Sequence, residues 1–197
     1  MPVCSGISGS DKTRMLEEGG TILKTLQLDP KHVFRVIVSY NNEFDLQSIE
    51  NSIPIEASFS WRLLYRFFLD KNCSLSFADW LMSRLPSNSY QLSLDDAIAA
   101  IERKLRQTIT HNQERLYLFL GIDEYEKVKH VRVPPRDPER PLQREIMDII
   151  GNFLCSNVSK LVVLPMFAGN SPYYVSKQLP MTPLSLDQVV RAMESTK

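Results

Sequence analysis

The segment from Gly6 to Thr13 has the residue types and the spacing of a phosphate-binding loop. The pattern G-x-x-x-x-G-K-[ST] is met at Gly6, Lys12 and Thr13, whereas Asp11 takes the place of the second glycine. Such a loop binds phosphates with backbone N–H groups and the N-terminus of the next helix. Its lysine contacts the β- and γ-phosphates, and its hydroxyl is a Mg²⁺ ligand. The candidate nucleotide-binding residues are Gly6, Ser8, Gly9, Ser10, Asp11, Lys12, Thr13 and Arg14.

Asp11 is the one departure of this loop from the pattern. A carboxylate about 4 Å from a phosphate costs about 4 kcal/mol at an effective dielectric constant of about 20, which corresponds to roughly a thousandfold loss of affinity. An aspartate near a helix N-terminus stabilises the helix by about 0.3–1 kcal/mol. We therefore expect the fold to persist and the affinity to fall. Two functions stay open: a weakened Mg²⁺-dependent NTPase, or a pseudo-NTPase that serves as an interaction module for protein or nucleic acid.

Two acidic residues follow a strongly apolar segment. Residues 115–122 (RLYLFLGI) are typical of a strand that is covered on both faces, and Asp123 and Glu124 come directly after it. Asp123 is placed to ligate Mg²⁺ together with Thr13, and Glu124 to activate an attacking water molecule as the general base. The alternative is an ordinary solvated strand end.

A third candidate follows another predicted strand, at residues 160–168 (KLVVLPMFA). Parallel α/β sheets bind ligands outside the carboxyl ends of their strands. Asn170 is therefore predicted to lie near Lys12 and Asp123 and to contact the γ-phosphate or the attacking water. Its alternative is a turn residue, since Gly-Asn-Ser-Pro is strong turn chemistry. The candidate catalytic residues are Glu124, Lys12 and Asn170.

Two arginines, Arg62 and Arg66, lie one turn apart in a predicted amphipathic helix. They are candidates to supply a positive charge to the nucleotide or to a partner. The more ordinary interpretation is that they are solvated or paired with acidic residues at the surface.

The elements that would position these residues alternate between strands and helices. Strands are predicted at 32–40, 115–122 and 160–168 after a short one at 2–5, and helices at 12–28, 55–69, 77–85, 93–110, 142–157 and 184–193. This order predicts a single α/β domain over residues 1–197, a three-layer sandwich with a mostly parallel sheet, helices on both faces and a helical insert at about 55–110. No strand is predicted after the last helix, which leaves a truncated sheet as an alternative.

The composition is that of a folded domain, with 43% hydrophobic and 23% charged residues. The formal net charge is zero, so no basic field indicates nucleic acid as a partner. No apolar run approaches the roughly 20 residues that span a bilayer, so no membrane partner is expected. The cysteines Cys4, Cys73 and Cys155 have no metal-site or disulfide spacing, and we expect three reduced core residues in an intracellular protein, cytoplasmic or nuclear.

Three segments resemble the P-loop NTPase module of Crinkler-type effectors and trypanosomatid retrotransposon hot spot proteins. They are residues 5–14 (SGISGSDKTR), 116–125 (LYLFLGIDEY) and 161–170 (LVVLPMFAGN). In that family the loop reads S-G-x-x-G-x-G-K-T-R, a strand ending in Gly-[ILV]-Asp-Glu-[FY] forms the Walker B element, and a strand ending in Ala-Gly-Thr supplies the sensor position. The resemblance covers most of the chain.

The resemblance implies a P-loop fold, related to AAA+ and STAND ATPases, with an additional strand between the loop strand and the Walker B strand. It makes Lys12 and Thr13 the Walker A pair, Asp123 the Mg²⁺ ligand and Glu124 the catalytic glutamate. Asn170 takes the sensor position, where the family has threonine. The implied activity is hydrolysis of a nucleoside triphosphate, ATP before others, with Mg²⁺. The implied partners are the nucleotide and a protein partner or a second copy, and the chain resembles an isolated NTPase core or a fragment of a larger protein.

Overall fold

A parallel sheet forms the centre of the molecule. The computed structural model describes residues 3–5, 12–19, 21, 23, 28, 30–40, 50, 53–69, 75–84, 91–109, 115–130, 142–156 and 161–169. Its strands are β1 (Val3–Ser5), β2 (Val33–Ser39), β3 (Leu116–Asp123) and β4 (Leu161–Gly169). They form one four-stranded sheet in the order β1-β4-β3-β2, and every neighbouring pair is parallel. The predicted α/β class with a mostly parallel sheet is confirmed.

Helices connect these strands. They are α1 (Lys12–Glu17), α2 (Ile55–Phe68), α3 (Phe77–Arg84), α4 (Leu94–Thr108) and α5 (Leu142–Ser156), with 3₁₀ segments at Pro30–His32 and Tyr125–His130. The boundaries of α2 to α5 agree with the predicted ones within two residues. The predicted helix at 184–193 lies outside the described residues.

The two faces of the sheet carry different helices because side chains alternate along each strand. On one face, even-numbered residues of β2 and β3 such as Val36, Val38 and Leu120 join the large core formed with α2, α4 and α5. On the other face, Phe119 and Ala168 pack with Leu16 of α1 and with Leu23. The sheet is therefore covered by helices on both faces, as predicted.

Helix α1 ends at Glu17, but the helix predicted at 12–28 is interrupted rather than cut short, since Glu18 lies in a turn and Gly19, Thr21 and Leu23 are helical again. Gly19 lies against the sheet just after this interruption, and a Cβ atom there would lie 2.6 Å or less from atoms of the Phe119 ring. Only glycine permits the chain to come this close to β3. Leu16 of α1 also packs over Gly121 of β3, where an added Cβ would lie 3.2 Å from Ile37 and 3.4 Å from Leu16. Helix α1 is thus held tightly against β3.

Helix α4 shows why the local sequence signals were reliable in this part of the chain. The hydroxyl oxygen of Ser93 accepts a hydrogen bond from the backbone N–H of Asp96 at 3.1 Å, as expected of an N-cap. Asp95 and Asp96 occupy the first turn, where negative charge is favourable. The apolar residues Ala97, Ile98, Ile101 and Leu105, which recur at helical spacing, are buried together with Leu94.

Candidate functional site

The structure brings together two predicted site residues from opposite ends of the sequence. Thr13 is the second residue of α1, and Asp123 is the last residue of β3. The Thr13 hydroxyl donates a hydrogen bond to Oδ2 of Asp123 at 3.1 Å. Asp123 is only 4% exposed, so the interpretation as a solvated strand end is wrong for this residue. The close packing of α1 on β3 is what brings the hydroxyl to the carboxylate.

The carboxylate of Asp123 lies in an unfavourable place for a negative charge. Burial is the main cause that raises the pKa of Asp123, and the hydrogen bond from Thr13 opposes it. The neighbouring carboxylates of Glu124 and Glu126 raise the pKa further by repulsion. These three acidic residues are called the β3 end below. A bound cation is the kind of ligand that would relieve their repulsion.

Glu124 directly follows the strand in a left-handed backbone conformation, with φ of 51°. This conformation is uncommon for a residue with a side chain, and two backbone hydrogen bonds hold it. The Glu124 N–H donates to the Ala168 carbonyl at 2.8 Å, and the Glu124 carbonyl accepts from the Lys127 N–H at 2.9 Å. Its carboxylate Oε2 also lies 2.8 Å from Nζ of Lys127. Glu124 is therefore fixed beside Asp123 at the edge of the sheet.

The end of β4 lies against the same turn. Asp123 is in register with Ala168, and a Cβ atom on Gly169 would overlap the carboxylate of Glu126 and lie 2.8 Å from the Tyr125 ring. Tyr125 is itself buried edge-on against Phe167, with ring centroids 5.5 Å apart. A glycine is therefore required where β4 meets the β3 end. Gly169 stands directly before the candidate Asn170 in the sequence, and the structure gives it this packing role.

Several predicted site residues cannot be placed. Asn170 and the loop residues Gly6, Ser8, Gly9, Ser10 and Asp11 lie outside the described residues, as does the side chain of Lys12. Lys12 is nevertheless the first residue of α1, directly before Thr13. Arg14 is 68% exposed, and its Nε lies 2.9 Å from Glu18 Oε1 on the same helix. The structure therefore joins Thr13, Asp123 and Glu124 and leaves the rest of the predicted site as a prediction.

The interpretation of Arg62 as a solvated or surface-paired residue is wrong. Arg62 is 2% exposed and forms a two-point ion pair with Glu50, with Nε 2.7 Å from Oε1 and Nη2 2.5 Å from Oε2. Its guanidinium lies 4.7 Å from the ring centroids of both Tyr40 and Phe77. Glu50, which is completely buried, was missed because it lies in a polar segment without helical or strand periodicity. We call Glu50 and Arg62 the buried pair.

The structure also places two other side chains about which the sequence made a prediction, Arg66 and Cys155. Arg66, the second arginine of α2, donates from Nε to the Ile37 carbonyl at 2.8 Å. Cys155 is exposed, so its prediction as a core residue is wrong, because it falls on the outward face of α5. Cys73 lies outside the described residues.

The described residues contain no group of three His, Cys, Asp or Glu side chains that could hold a metal ion. Mg²⁺ is nevertheless often held by one or two protein ligands together with phosphate oxygens and water, and Thr13 and Asp123 supply that number. None of the described helices is long and apolar enough to cross a membrane. Comparison with protein-family models, curated proteins and solved structures finds no match for this chain.

Proposed function

We propose that this chain binds and hydrolyses a nucleoside triphosphate, ATP before others, as a Mg²⁺-dependent P-loop NTPase module similar to that of Crinkler-type proteins. The observation that carries the proposal is the 3.1 Å hydrogen bond between Thr13 and Asp123. These are the two residues that the loop pattern and the strand-Asp-Glu pattern independently assign to one Mg²⁺ ion. Residues 110 positions apart have no local reason to be in contact.

The order of the strands supports the P-loop assignment. Strand β4 lies between β1, which precedes the loop, and β3, which ends in Asp123. A strand in that position is what the resemblance implies for the family module. The carboxyl ends of these strands lie at one edge of the sheet, where parallel α/β sheets bind their ligands.

The residues at this edge fit Mg²⁺ and a nucleotide in their chemistry. A hydroxyl and a carboxylate are oxygen ligands of the kind that Mg²⁺ prefers, and a cation would relieve the repulsion that raises the pKa of Asp123. When bound, Mg²⁺ supplies neutralisation of the phosphate charge. Lys12 would contact the phosphates, and Glu124 would orient a water molecule and accept its proton. Asn170 would hydrogen-bond the γ-phosphate or that water.

A pseudo-NTPase that acts as a protein or nucleic-acid interaction module is the second candidate. Two observations favour it: the sequence has Asp11 in place of a loop glycine, and the carboxylate of Glu124 is paired with Lys127. An acid that is neutralised by a lysine is a weaker acceptor for the proton of water. This candidate predicts weak or absent turnover with the fold intact.

Calorimetric titration with ATP, with and without Mg²⁺, tests the first candidate. We expect Thr13→Val to lower the Mg²⁺-dependent affinity by about tenfold or more, since even residues that only support a metal ligand contribute 10–100-fold. Lys12→Ala should weaken binding with or without Mg²⁺. Thr108→Val is the matched control, because Thr108 is an exposed threonine of α4 whose hydroxyl donates to Leu105. The same substitutions are repeated in an Asp11→Gly background, in which we expect a weak affinity for ATP to become measurable. Binding that is unaffected by both Thr13→Val and Lys12→Ala would exclude this site.

A further inference from the structure

The buried pair has a third contact, which leads towards the β3 end. Besides its two bonds to Glu50, Arg62 donates from Nη1 to the carbonyl of Ser39 at 3.3 Å. Ser39 is the last residue of β2 and is in register with Asp123. Glu50 is held from another direction as well, since the Ser58 hydroxyl donates to its Oε1 at 2.6 Å. The guanidinium is thus fixed at the carboxyl end of β2.

From Ser39 a chain of hydrogen bonds crosses the ends of three strands. The peptide group between Ser39 and Tyr40 accepts from Arg62 through its carbonyl, and its N–H donates to the Asp123 carbonyl at 3.2 Å. That carbonyl belongs to the peptide group between Asp123 and Glu124. The N–H of the same group donates to the Ala168 carbonyl at 2.8 Å. The chain therefore passes through the peptide group that joins the candidate Mg²⁺ ligand to the candidate general base.

The direction of this chain has a physical consequence. Every donor points the same way, from the guanidinium through β2 and β3 to β4, so each bond polarises the next and strengthens it. A positive charge at the donor end adds to this polarisation, and a hydrogen bond to a charged group is stronger than one between neutral groups. The bonds also act on Glu124, whose φ of 51° has to be held by its surroundings.

We propose that Arg62 is a positioning residue that, through this hydrogen-bond chain, fixes the peptide group between Asp123 and Glu124. The proposed effect on catalysis rests on the proposed function. The hydrogen-bond chain itself rests only on the observed contacts. Arg62 touches no substrate in this arrangement. Its effect reaches the reaction through the orientation of the two carboxylates.

The test uses a double variant because Arg62 cannot be removed alone without leaving Glu50 as an unpaired buried charge. Arg62→Met with Glu50→Leu removes both charges, keeps the volume apolar and eliminates the bond to Ser39. Replacing a buried ion pair by packed apolar residues is often neutral for stability. Leu105→Ala is the control, because it removes side-chain volume from the large core that contains β2 and β3 but leaves the hydrogen-bond chain in place.

Amide NMR of the nucleotide-free protein is the first readout, and it does not depend on activity. In the double variant we expect altered chemical shifts and faster hydrogen exchange at the N–H groups of Tyr40 and Glu124. The paired residues Val36 and Leu120, further back in β2 and β3, should change no more than they do in Leu105→Ala. Unchanged Tyr40 and Glu124 signals would overturn the proposal.

Steady-state hydrolysis of ATP at varied Mg²⁺ is the second readout. A support residue of a metal site typically contributes 10–100-fold, so we expect kcat of the double variant to fall by roughly tenfold or more and its Mg²⁺ requirement to rise, with a much smaller change in KM. A loss of stability alone, as in Leu105→Ala, would leave kcat per folded molecule unchanged. Unchanged kcat and Mg²⁺ dependence in an active double variant would overturn the positioning role. If the wild-type protein neither binds nor hydrolyses nucleotide, the proposed function is overturned instead. The amide signals then decide by themselves whether the hydrogen-bond chain fixes the peptide group between Asp123 and Glu124.

Discussion

Two groups of buried charge lie at the carboxyl edge of the sheet, and they differ in how their charge is balanced. At the β3 end, Asp123 is 4% exposed and has two further carboxylates close enough to raise its pKa. In the buried pair, Arg62 is 2% exposed and meets Glu50 in a two-point ion pair between two aromatic rings. The first group places a buried carboxylate beside two like charges, of which Glu124 is paired with Lys127, whereas the second group is neutral as a unit.

This difference separates two roles for buried charge. A balanced pair with all its hydrogen bonds made needs no further ligand and serves the architecture. A buried carboxylate beside like charges is unfavourable without a ligand, and such groups are concentrated at functional sites. The two groups are also joined, because the bond from Arg62 to Ser39 leads to the backbone of Asp123. The balanced group therefore supports the unbalanced one.

Among the substitutions that test this comparison, removal of the candidate general base is expected to have the largest effect. We expect Glu124→Gln to lower the rate of ATP hydrolysis by about 10²–10⁴-fold, the usual contribution of a general base, with little change in nucleotide affinity. Glu145→Gln in the first turn of α5 is the matched control. The measurement is single-turnover phosphate release at saturating Mg²⁺ and ATP. An unchanged rate would remove Glu124 from the mechanism and favour the pseudo-NTPase.

Removing one charge of the buried pair tests directly whether its two charges balance each other. Arg62→Met leaves Glu50 charged and unpaired in the core, and we expect a loss of about 3–5 kcal/mol in the free energy of unfolding. The double variant with Glu50→Leu should recover most of that loss. Arg106→Met, which breaks a more exposed pair on α4, should cost less than about 1 kcal/mol. Urea unfolding gives all three values, and equal losses for Arg62→Met and Arg106→Met would contradict the distinction between the two kinds of pair.

Asp11 extends the comparison to the loop, because under the proposed function its carboxylate adds negative charge where phosphates would bind. Asp11→Gly, which places the glycine of the loop pattern at this position, should tighten ATP binding by as much as roughly a thousandfold, or about 4 kcal/mol. The control is Asp95→Asn in the exposed first turn of α4. A glycine control such as Asp79→Gly is avoided because glycine inside a helix destabilises the helix. If calorimetry finds no gain in affinity for Asp11→Gly, repulsion by this residue is the wrong explanation.

The same contrast explains what could be predicted from the sequence. Thr13, Asp123 and Glu124 were found because each belongs to a local pattern at the end of a predicted element. The helix predicted at 93–110 depended on equally local signals, the Ser93 cap and the apolar residues of α4. The buried pair could not be found, since its partners come from a polar segment and a helix and meet only through tertiary packing. The close approach of Gly19 to Phe119 depends in the same way on tertiary packing. Local patterns thus predicted the strands, most of the helices and the proximity of Thr13 and Asp123, whereas contacts that form only by tertiary packing could not be predicted.

The smallest expected effect concerns how the charge of Asp123 changes the stability of the ligand-free protein. Burial and repulsion raise the pKa of Asp123 above its ordinary value of 3.8, so the folded state holds the proton more tightly than the unfolded state. The free energy of unfolding therefore falls as the pH rises from that value through the folded pKa, and the penalty is complete above it. Asp123→Asn removes the charge, keeps an acceptor for the Thr13 hydroxyl, and should stabilise the ligand-free protein at neutral pH by on the order of 1 kcal/mol.

Urea unfolding at several pH values measures this effect. The advantage of Asp123→Asn over the wild type should shrink as the pH is lowered towards the ordinary carboxylate range, because protonation then removes the same charge from the wild type. Asp95→Asn is the control of opposite sign, since an exposed first-turn aspartate stabilises its helix by about 0.3–1 kcal/mol. A residue that serves the architecture would behave like Asp95, with a loss on substitution at neutral pH. If Asp123→Asn is less stable than the wild type at neutral pH, the charge at the β3 end is already balanced in the ligand-free protein, and the main difference between the two charge groups disappears.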